Sequence, residues 1–241
     1  MANKEQLIIA LDYKTGEEAC QLIDRIGDYG IYYKVGLELF LNSQGRIIQE
    51  LKERQKKIFL DLKFHDIPNT VAAACYWAAG LGVDMFNVHA SGGFEMMQRA
   101  KEATIEGALK AGKELPKLIA VTILTSFNDK GIQDVGYTGT TDENVARMAL
   151  LTHQAGLDGV VCSSKEVALI QSKLSQESFI TVCPGIRPSW AQTGDQKRIM
   201  TPADAIAQKV SYMVVGRPIT KAEDPVEAVQ KILKEMNVLE D

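Results

Sequence analysis

The chain has few cysteines and histidines, and neither residue type is spaced as in a metal site. It contains 4 Cys and 3 His in 241 residues. No two cysteines form a CxxC pair and no two histidines form an HxxxH pair, the spacings typical of redox motifs and metal sites. We therefore expect reduced thiols, no metal site and a cytoplasmic protein.

Long apolar segments and clusters of positive charge are also absent. The apolar run at residues 7–11 is too short for a signal peptide, and the weakly charged residues 67–83 are too few to span a membrane. Lysine and arginine are scattered, and the formal net charge is −4. Because a nucleic-acid surface needs clustered positive charge, we expect neither nucleic acid nor a membrane as a partner.

The composition is that of a globular protein, with 46% apolar and 24% charged residues. Short runs rich in Val, Ile and Leu alternate with stretches of helical periodicity. The strand candidates are residues 7–12, 32–36, 57–64, 85–90, 117–125, 159–164, 179–186 and 212–217. The helix candidates include residues 16–27, 45–57, 94–112, 141–156, 164–174, 201–209 and 224–236.

This alternation predicts an α/β protein with a parallel sheet buried on both faces. About eight β/α units in a chain of this length fit a (β/α)8 TIM barrel, so we predict a single domain over residues 1–241. An open doubly wound sheet is the alternative, since strand counts from one sequence are error-prone.

Polar residues recur at the carboxyl ends of the strand candidates. They are Asp12, Lys34, Asp61, Lys63, His89, Thr125, Ser126, Ser163, Arg187 and Arg217. In a barrel these ends share the face that carries the active site. Loops are polar in any protein, but charges inside the apolar runs YYKVG and FLDLKF need a partner or a function, because burying a charge is costly.

The segment KIFLDLKFHDIPNT concentrates these charges. Side chains alternate along a strand, so Asp61 and Lys63 are predicted to share one face, with Asp66 beyond them. Nearby carboxylates favour a charged ammonium, which makes Lys63 a candidate proton donor. Lys34 adds a second cation. A buried ion-pair network that only stabilises the barrel is the alternative interpretation.

The last two strands suggest an anion site. The loops PGIRPSWAQTGDQKR and GRPIT follow them, and loops at these places in TIM barrels commonly bind phosphate. Arg187 and Arg217 are the candidate cations, and Gly216 would let the backbone approach the anion closely.

The segment DLKFHDIPNT resembles the signature of the orotidine 5′-monophosphate decarboxylase family. The runs ALD, KVGLELF, VTILTS, PGIR, GDQKRIMTP and VVGRPIT extend the resemblance over nearly the whole chain. It implies a (β/α)8 barrel that converts orotidine 5′-monophosphate to uridine 5′-monophosphate and CO2 in pyrimidine biosynthesis, without a cofactor.

The resemblance also implies roles for individual residues. Lys63 would protonate the carbon that loses its carboxylate, Asp61 would stand beside that carboxylate, and Lys34 and Asp12 would hold the ribose hydroxyls. The remaining substrate-binding residues would be Thr125 and Ser126 at the pyrimidine, with Pro184, Arg187, Gln196, Gly216 and Arg217 around the phosphate end.

A homodimer is expected for two reasons. Residues 67–82 form a helix candidate that is apolar around much of its circumference, which implies a second covering surface. A long loop of the same chain is the alternative cover. The family resemblance places Asp66, Ile67 and Thr70 in the partner's site.

Two other functions stay open. A 3-keto-gulonate-phosphate decarboxylase shares the DxKxxD pattern on the same barrel but uses magnesium and lacks the IPNT continuation present here. A non-catalytic nucleotide-binding protein would retain the barrel, although the presence of Asp61, Lys63 and Asp66 argues against it.

Overall fold

A computed structural model describes residues 2–174, 178–191 and 200–239. Its strands run parallel and follow one another in chain order in a closed barrel, which confirms the predicted fold. The strands are β1 (Leu7–Ala10), β2 (Tyr32–Gly36), β3 (Lys57–Phe64), β4 (Met85–His89), β5 (Lys117–Val121), β6 (Gly159–Val161), β7 (Ile180–Pro184) and β8 (Tyr212–Val215).

Helices alternate with the strands. They are α1 (Gly16–Ile26), α2 (Leu37–Asn42), α3 (Arg46–Glu53), α4 (Pro68–Gly80), α5 (Gly93–Ala111), α6 (Asp129–Asp134), α7 (Thr141–Gln154), α8 (Val167–Lys173), α9 (Pro202–Ala207), α10 (Arg217–Thr220) and α11 (Pro225–Glu235). Among the described residues, none of these helices is long and apolar enough to cross a membrane.

The sequence located the strand starts better than the strand ends. Most strands begin at the predicted residue, but β1 ends at Ala10 instead of Asp12 and β5 ends at Val121 instead of Thr125. The ends predicted for β2 and β3 are confirmed, whereas those of β1 and β5 were wrong because the regular strand stops before the polar residue that closes the apolar run. Helices α2, α6 and α10 were not predicted, since four to six residues are too few to show a helical period.

The chain divides into two compact units, Met1–Asp61 with Cys183–Asp241, and Leu62–Val182. In the first unit β1 pairs with β2 and with β8, and every β1 residue is buried. Helix α1 buries Leu22, Ile23 and Ile26 and packs against α3 and α11. A capping box of Thr15 and Glu18 satisfies backbone donors at its start. The single domain over residues 1–241 stays a prediction.

In the second unit α4 packs closely on α5. A Cβ atom added to Gly107 of α5 would lie 2.3 Å from the carbonyl oxygen of Tyr76, so the two helix backbones are in direct contact. Helix α4 also exposes large side chains. Tyr76 is 37% exposed and Trp77 is 45% exposed, whereas Val71 and Cys75 are buried.

The cysteines are free thiols, as the sequence predicted. Cys75, Cys162 and Cys183 are buried, whereas Cys20 is partly exposed. Burial raises the pKa of the Cys75 thiol to about 12, because the thiolate loses its hydration in an apolar environment.

Candidate active site

The first unit gathers three charged residues that the sequence had singled out. Lys34 Nζ lies 3.2 Å from Asp12 Oδ1 and 3.6 Å from Asp61 Oδ2. The Lys34 and Asp61 side chains are only 13% and 12% exposed, whereas Asp12 is 57% exposed. One ammonium therefore bridges a buried carboxylate and a solvent-facing one.

Strand register explains how this cluster forms. Lys34 of β2 pairs with Ala10 of β1, and Gly36 of β2 pairs with Asp61 of β3. A Cβ atom on Gly36 would come within 3.2 Å of Lys34 Nζ, which is closer than almost all Cβ contacts. The missing side chain at Gly36 thus leaves room for the ammonium to lie between the two carboxylates.

A cavity of about 140 Å³ adjoins this cluster in the same unit. Its lining includes two residues of the cluster, the two arginines that the sequence predicted to bind an anion, and two loop glycines. These lining residues are Asp12, Lys34, Pro184, Gly185, Arg187, Gly216 and Arg217.

The two arginines differ in exposure. Arg187 is 8% exposed, and its backbone N–H donates a 2.9 Å hydrogen bond to the carbonyl oxygen of Met200. Arg217 is exposed and begins α10 directly after Gly216. A Cβ atom on Gly216 would lie 3.1 Å from Asp12 Oδ2, so a larger residue there would crowd the cavity. The cavity therefore combines cations with closely approaching backbone, the chemistry of an anion site.

Lys63, at the end of β3, has an unusual backbone. Its φ is 54°, in the left-handed region that disfavours residues with a Cβ atom and costs on the order of 1–3 kcal/mol. Its N–H donates a 2.8 Å hydrogen bond to Oδ1 of the fully buried Asn87 on β4. The regular alternation from which we predicted a shared face for Asp61 and Lys63 therefore does not continue through Lys63.

The other predicted residues of the second unit lie on loops and at a helix start. Asp66 and Ile67 are exposed and directly precede α4, and Asp66 Oδ1 accepts a 2.6 Å hydrogen bond from the Ile67 N–H. Thr70 is exposed in the first turn of α4. Thr125 and Ser126 follow β5 after a short gap and are accessible.

The structure thus brings together Asp12, Lys34 and Asp61, and it places Pro184, Arg187, Gly216 and Arg217 around the adjoining cavity. Gln196 lies outside the described residues. Sequence reasoning missed Gly185, which has a φ of 82° directly after β7, and Asn87. The signal for Asn87 was a polar residue within the apolar run MFNVHA.

Known proteins of one family match nearly the whole chain. The model of the orotidine 5′-phosphate decarboxylase / HUMPS family matches residues 5–232. A protein of a Nostoc species named orotidine 5′-phosphate decarboxylase is 48% identical to this chain, and the match covers 98% of this chain and 99% of the relative. A protein of the same name from Pseudoalteromonas atlantica is 49% identical, and the match covers 94% of this chain and 96% of the relative.

A solved structure agrees with these sequence matches. The crystal structure of orotidine 5′-phosphate decarboxylase from Lactobacillus acidophilus superposes with a TM-score of 0.86 at 39% identity, covering 97% of this chain and 100% of that one. The family resemblance inferred from the sequence is confirmed: the chain belongs to the orotidine 5′-phosphate decarboxylase family of carboxy-lyases.

Proposed function

We propose that this protein decarboxylates orotidine 5′-monophosphate to uridine 5′-monophosphate and CO2 in pyrimidine biosynthesis, without a cofactor. The observation that carries the proposal is the Lys34 ammonium held between Asp12 and Asp61 at the edge of a cavity that also contains two arginines. Relatives named for this activity match nearly the whole chain. The cytoplasmic location stays a prediction.

The chemical problem is the carbanion left when CO2 departs. The bond between the ring carbon and the carboxylate breaks, its electron pair stays on the ring carbon, and that carbon must then be protonated. Lys63 is the proposed donor: its ammonium transfers one proton to the carbon and is later reprotonated from water. A fixed cation at this carbon stabilises charge that exists only in the transition state.

The Lys34 cluster has a separate role in this proposal. Asp12 and Lys34 hydrogen-bond the ribose hydroxyls, and Asp61 stands beside the substrate carboxylate. The difference in exposure suits these roles: Lys34 contacts both carboxylates, but Asp12 faces solvent whereas Asp61 is largely covered. Thr125 and Ser126 contact the pyrimidine. The charges of Lys34 and Asp61 are already in place before substrate binds, so little reorganisation accompanies the reaction.

Lys63→Ala tests the donor directly. We expect turnover to be nearly abolished while binding of uridine 5′-monophosphate persists, because the ammonium acts on charge that develops after binding. Steady-state rates and product titration on the same preparation measure the two effects. A variant that kept about a tenth of the normal turnover would exclude Lys63 as the obligatory donor.

The phosphate group is proposed to bind at the cavity with Pro184, Arg187, Gly216 and Arg217, together with Gln196. Arg217 is the better position to test because it is exposed, whereas Arg187 is buried and its removal would disturb packing. Arg217→Ala should raise KM strongly for orotidine 5′-monophosphate and much less for orotidine. An equal rise in KM for orotidine 5′-monophosphate and orotidine would mean that Arg217 has a structural role and does not bind the phosphate.

We also propose a homodimer in which Asp66, Ile67 and Thr70 reach the partner's site. Ile67 is 67% exposed and Trp77 is 45% exposed, so large apolar groups lie at the surface at the start of α4 and further along it. Apolar surface of this kind commonly marks a protein interface.

Subunit mixing tests the shared site. A dimer of one Lys63→Ala and one Asp66→Ala subunit has one site with both defects and one site with neither. Random exchange of the two inactive variants should therefore restore about a quarter of wild-type activity. Native mass spectrometry with a mass label on one variant must confirm exchange, and continued inactivity after exchange would mean that each subunit uses its own Asp66.

A further inference from the structure

The hydrogen bond between Lys63 and Asn87 links the unusual backbone of the proposed proton donor to the neighbouring strand. The Lys63 N–H donates to Asn87 Oδ1 at 2.8 Å, and Asn87 is 0% exposed. We propose that Asn87 is a positioning residue that fixes Lys63 for proton transfer. This inference rests on the proposed role of Lys63 in the decarboxylation.

Lys63 needs such support because of its conformation. With φ at 54°, it lies in a region that lysine adopts rarely, since the Cβ atom crowds the backbone. A residue keeps such a conformation only when its surroundings enforce it. The Asn87 side chain supplies one constraint, because it is carried by a fully buried stretch of β4 between Phe86 and Val88.

The next residue along β3 supplies a second constraint. The Phe64 ring packs edge-on against Phe86, with ring centroids 6.3 Å apart and planes at 65°. Consecutive residues of β3 are therefore fixed to consecutive residues of β4, one pair by a hydrogen bond and the other by an aromatic contact. The Lys63 backbone is thus held against β4 at two consecutive residues, and this constrains the direction in which its side chain leaves the strand.

The expected effect concerns catalysis more than binding. A reacting group displaced by about 1 Å can lose about 100-fold in rate, whereas a substrate held mainly by other residues still binds. Loss of the Asn87 acceptor should therefore lower kcat and leave KM and product affinity nearly unchanged. A purely structural role would instead lower stability without this split.

Asn87→Leu removes the acceptor while nearly keeping the side-chain volume. We expect kcat to fall about 10- to 100-fold, with KM and the Kd of uridine 5′-monophosphate changed less than about threefold. Asn87→Asp keeps an oxygen at the same position and should recover most of kcat. Thr152→Val is the matched control, because it removes a buried side-chain hydrogen bond to the Met148 carbonyl in the same unit.

Several outcomes would overturn the proposal. One is an Asn87→Leu kcat within about twofold of wild type, and another is an equal loss of kcat in Thr152→Val. A kcat loss in Asn87→Leu that Asn87→Asp does not recover would also count against it. Should the leucine variant fail to fold, Asn87→Ser, whose shorter side chain cannot reach the Lys63 N–H in the same way, provides the same comparison of kcat with KM.

Lys63→Ala, measured in parallel, separates this inference from the proposed function. If Lys63→Ala keeps turnover, the role of Lys63 as donor is wrong. If Lys63→Ala is inactive and Asn87→Leu is fully active, the donor role stands and the positioning role of Asn87 is wrong.

Discussion

Lys34 contacts two carboxylates, and we expect the less exposed one to stabilise the protein more, although it is the more distant. Asp12 is the closer partner at 3.2 Å but is 57% exposed, whereas Asp61 lies at 3.6 Å and is 12% exposed. We expect the longer, buried contact to contribute more to the free energy of unfolding, because water screens the shorter one.

The magnitudes follow from Coulomb's law. At 3.6 Å and an effective dielectric constant of about 20, two unit charges attract by about 4 to 5 kcal/mol, whereas at 3.2 Å in bulk water they attract by about 1 kcal/mol. Desolvation offsets much of the first value. We therefore expect coupling free energies of about 1.5 to 3 kcal/mol for Lys34 with Asp61, and about 0.2 to 1 kcal/mol for Lys34 with Asp12.

Two double-mutant cycles measure these couplings. One combines Lys34→Met with Asp61→Asn, and the other combines Lys34→Met with Asp12→Asn. Urea unfolding followed by circular dichroism gives the free energy of unfolding of each variant. All measurements use one protein concentration and no nucleotide or phosphate, because a bound ligand would add stability. Added salt should weaken the Asp12 coupling more than the Asp61 coupling. The reasoning is refuted if Lys34 couples to Asp12 as strongly as to Asp61.

Two further predictions concern the second unit. Gly107→Ala should lower the free energy of unfolding in urea by about 1 to 3 kcal/mol, because the new methyl group would lie 2.3 Å from the Tyr76 carbonyl oxygen. An unchanged unfolding midpoint would contradict the close contact of α4 and α5. Burial raises the pKa of the Cys75 thiol to about 12, so about one part in 10⁴ of it is ionised at pH 8. In the folded protein, iodoacetamide should therefore label the partly exposed Cys20 well before the buried Cys75. Mass spectrometry measures the two labelling rates, and equal rates would contradict the prediction.

The barrel was predictable because its signals are local. Each buried parallel strand contains an apolar run such as residues 58–60, and α1 has both a helical period and a capping box that can be read from the residues. The pairing of Lys34 with Asp61 was predictable in outline for a related reason, since a charge inside an apolar strand needs a partner. The space that Gly36 leaves for the ammonium depends on strand register, which the sequence alone does not determine.

The backbone of Lys63 could not be predicted. An apolar and polar alternation implies extended backbone, and nothing in FLDLKF marks a residue with φ at 54°. The Lys63 N–H is hydrogen-bonded to Asn87, which is 24 residues away in the chain. Non-local contacts of this kind override local preference, and they tend to do so at functional positions.

The most direct test of cofactor-free decarboxylation is the absorbance change of orotidine 5′-monophosphate with purified protein that has been treated with a chelator and supplied with no cofactor. We expect complete conversion to uridine 5′-monophosphate, one CO2 per nucleotide, and a rate that added Mg²⁺ does not change. Absence of conversion, or conversion only after Mg²⁺ is restored, would contradict this expectation.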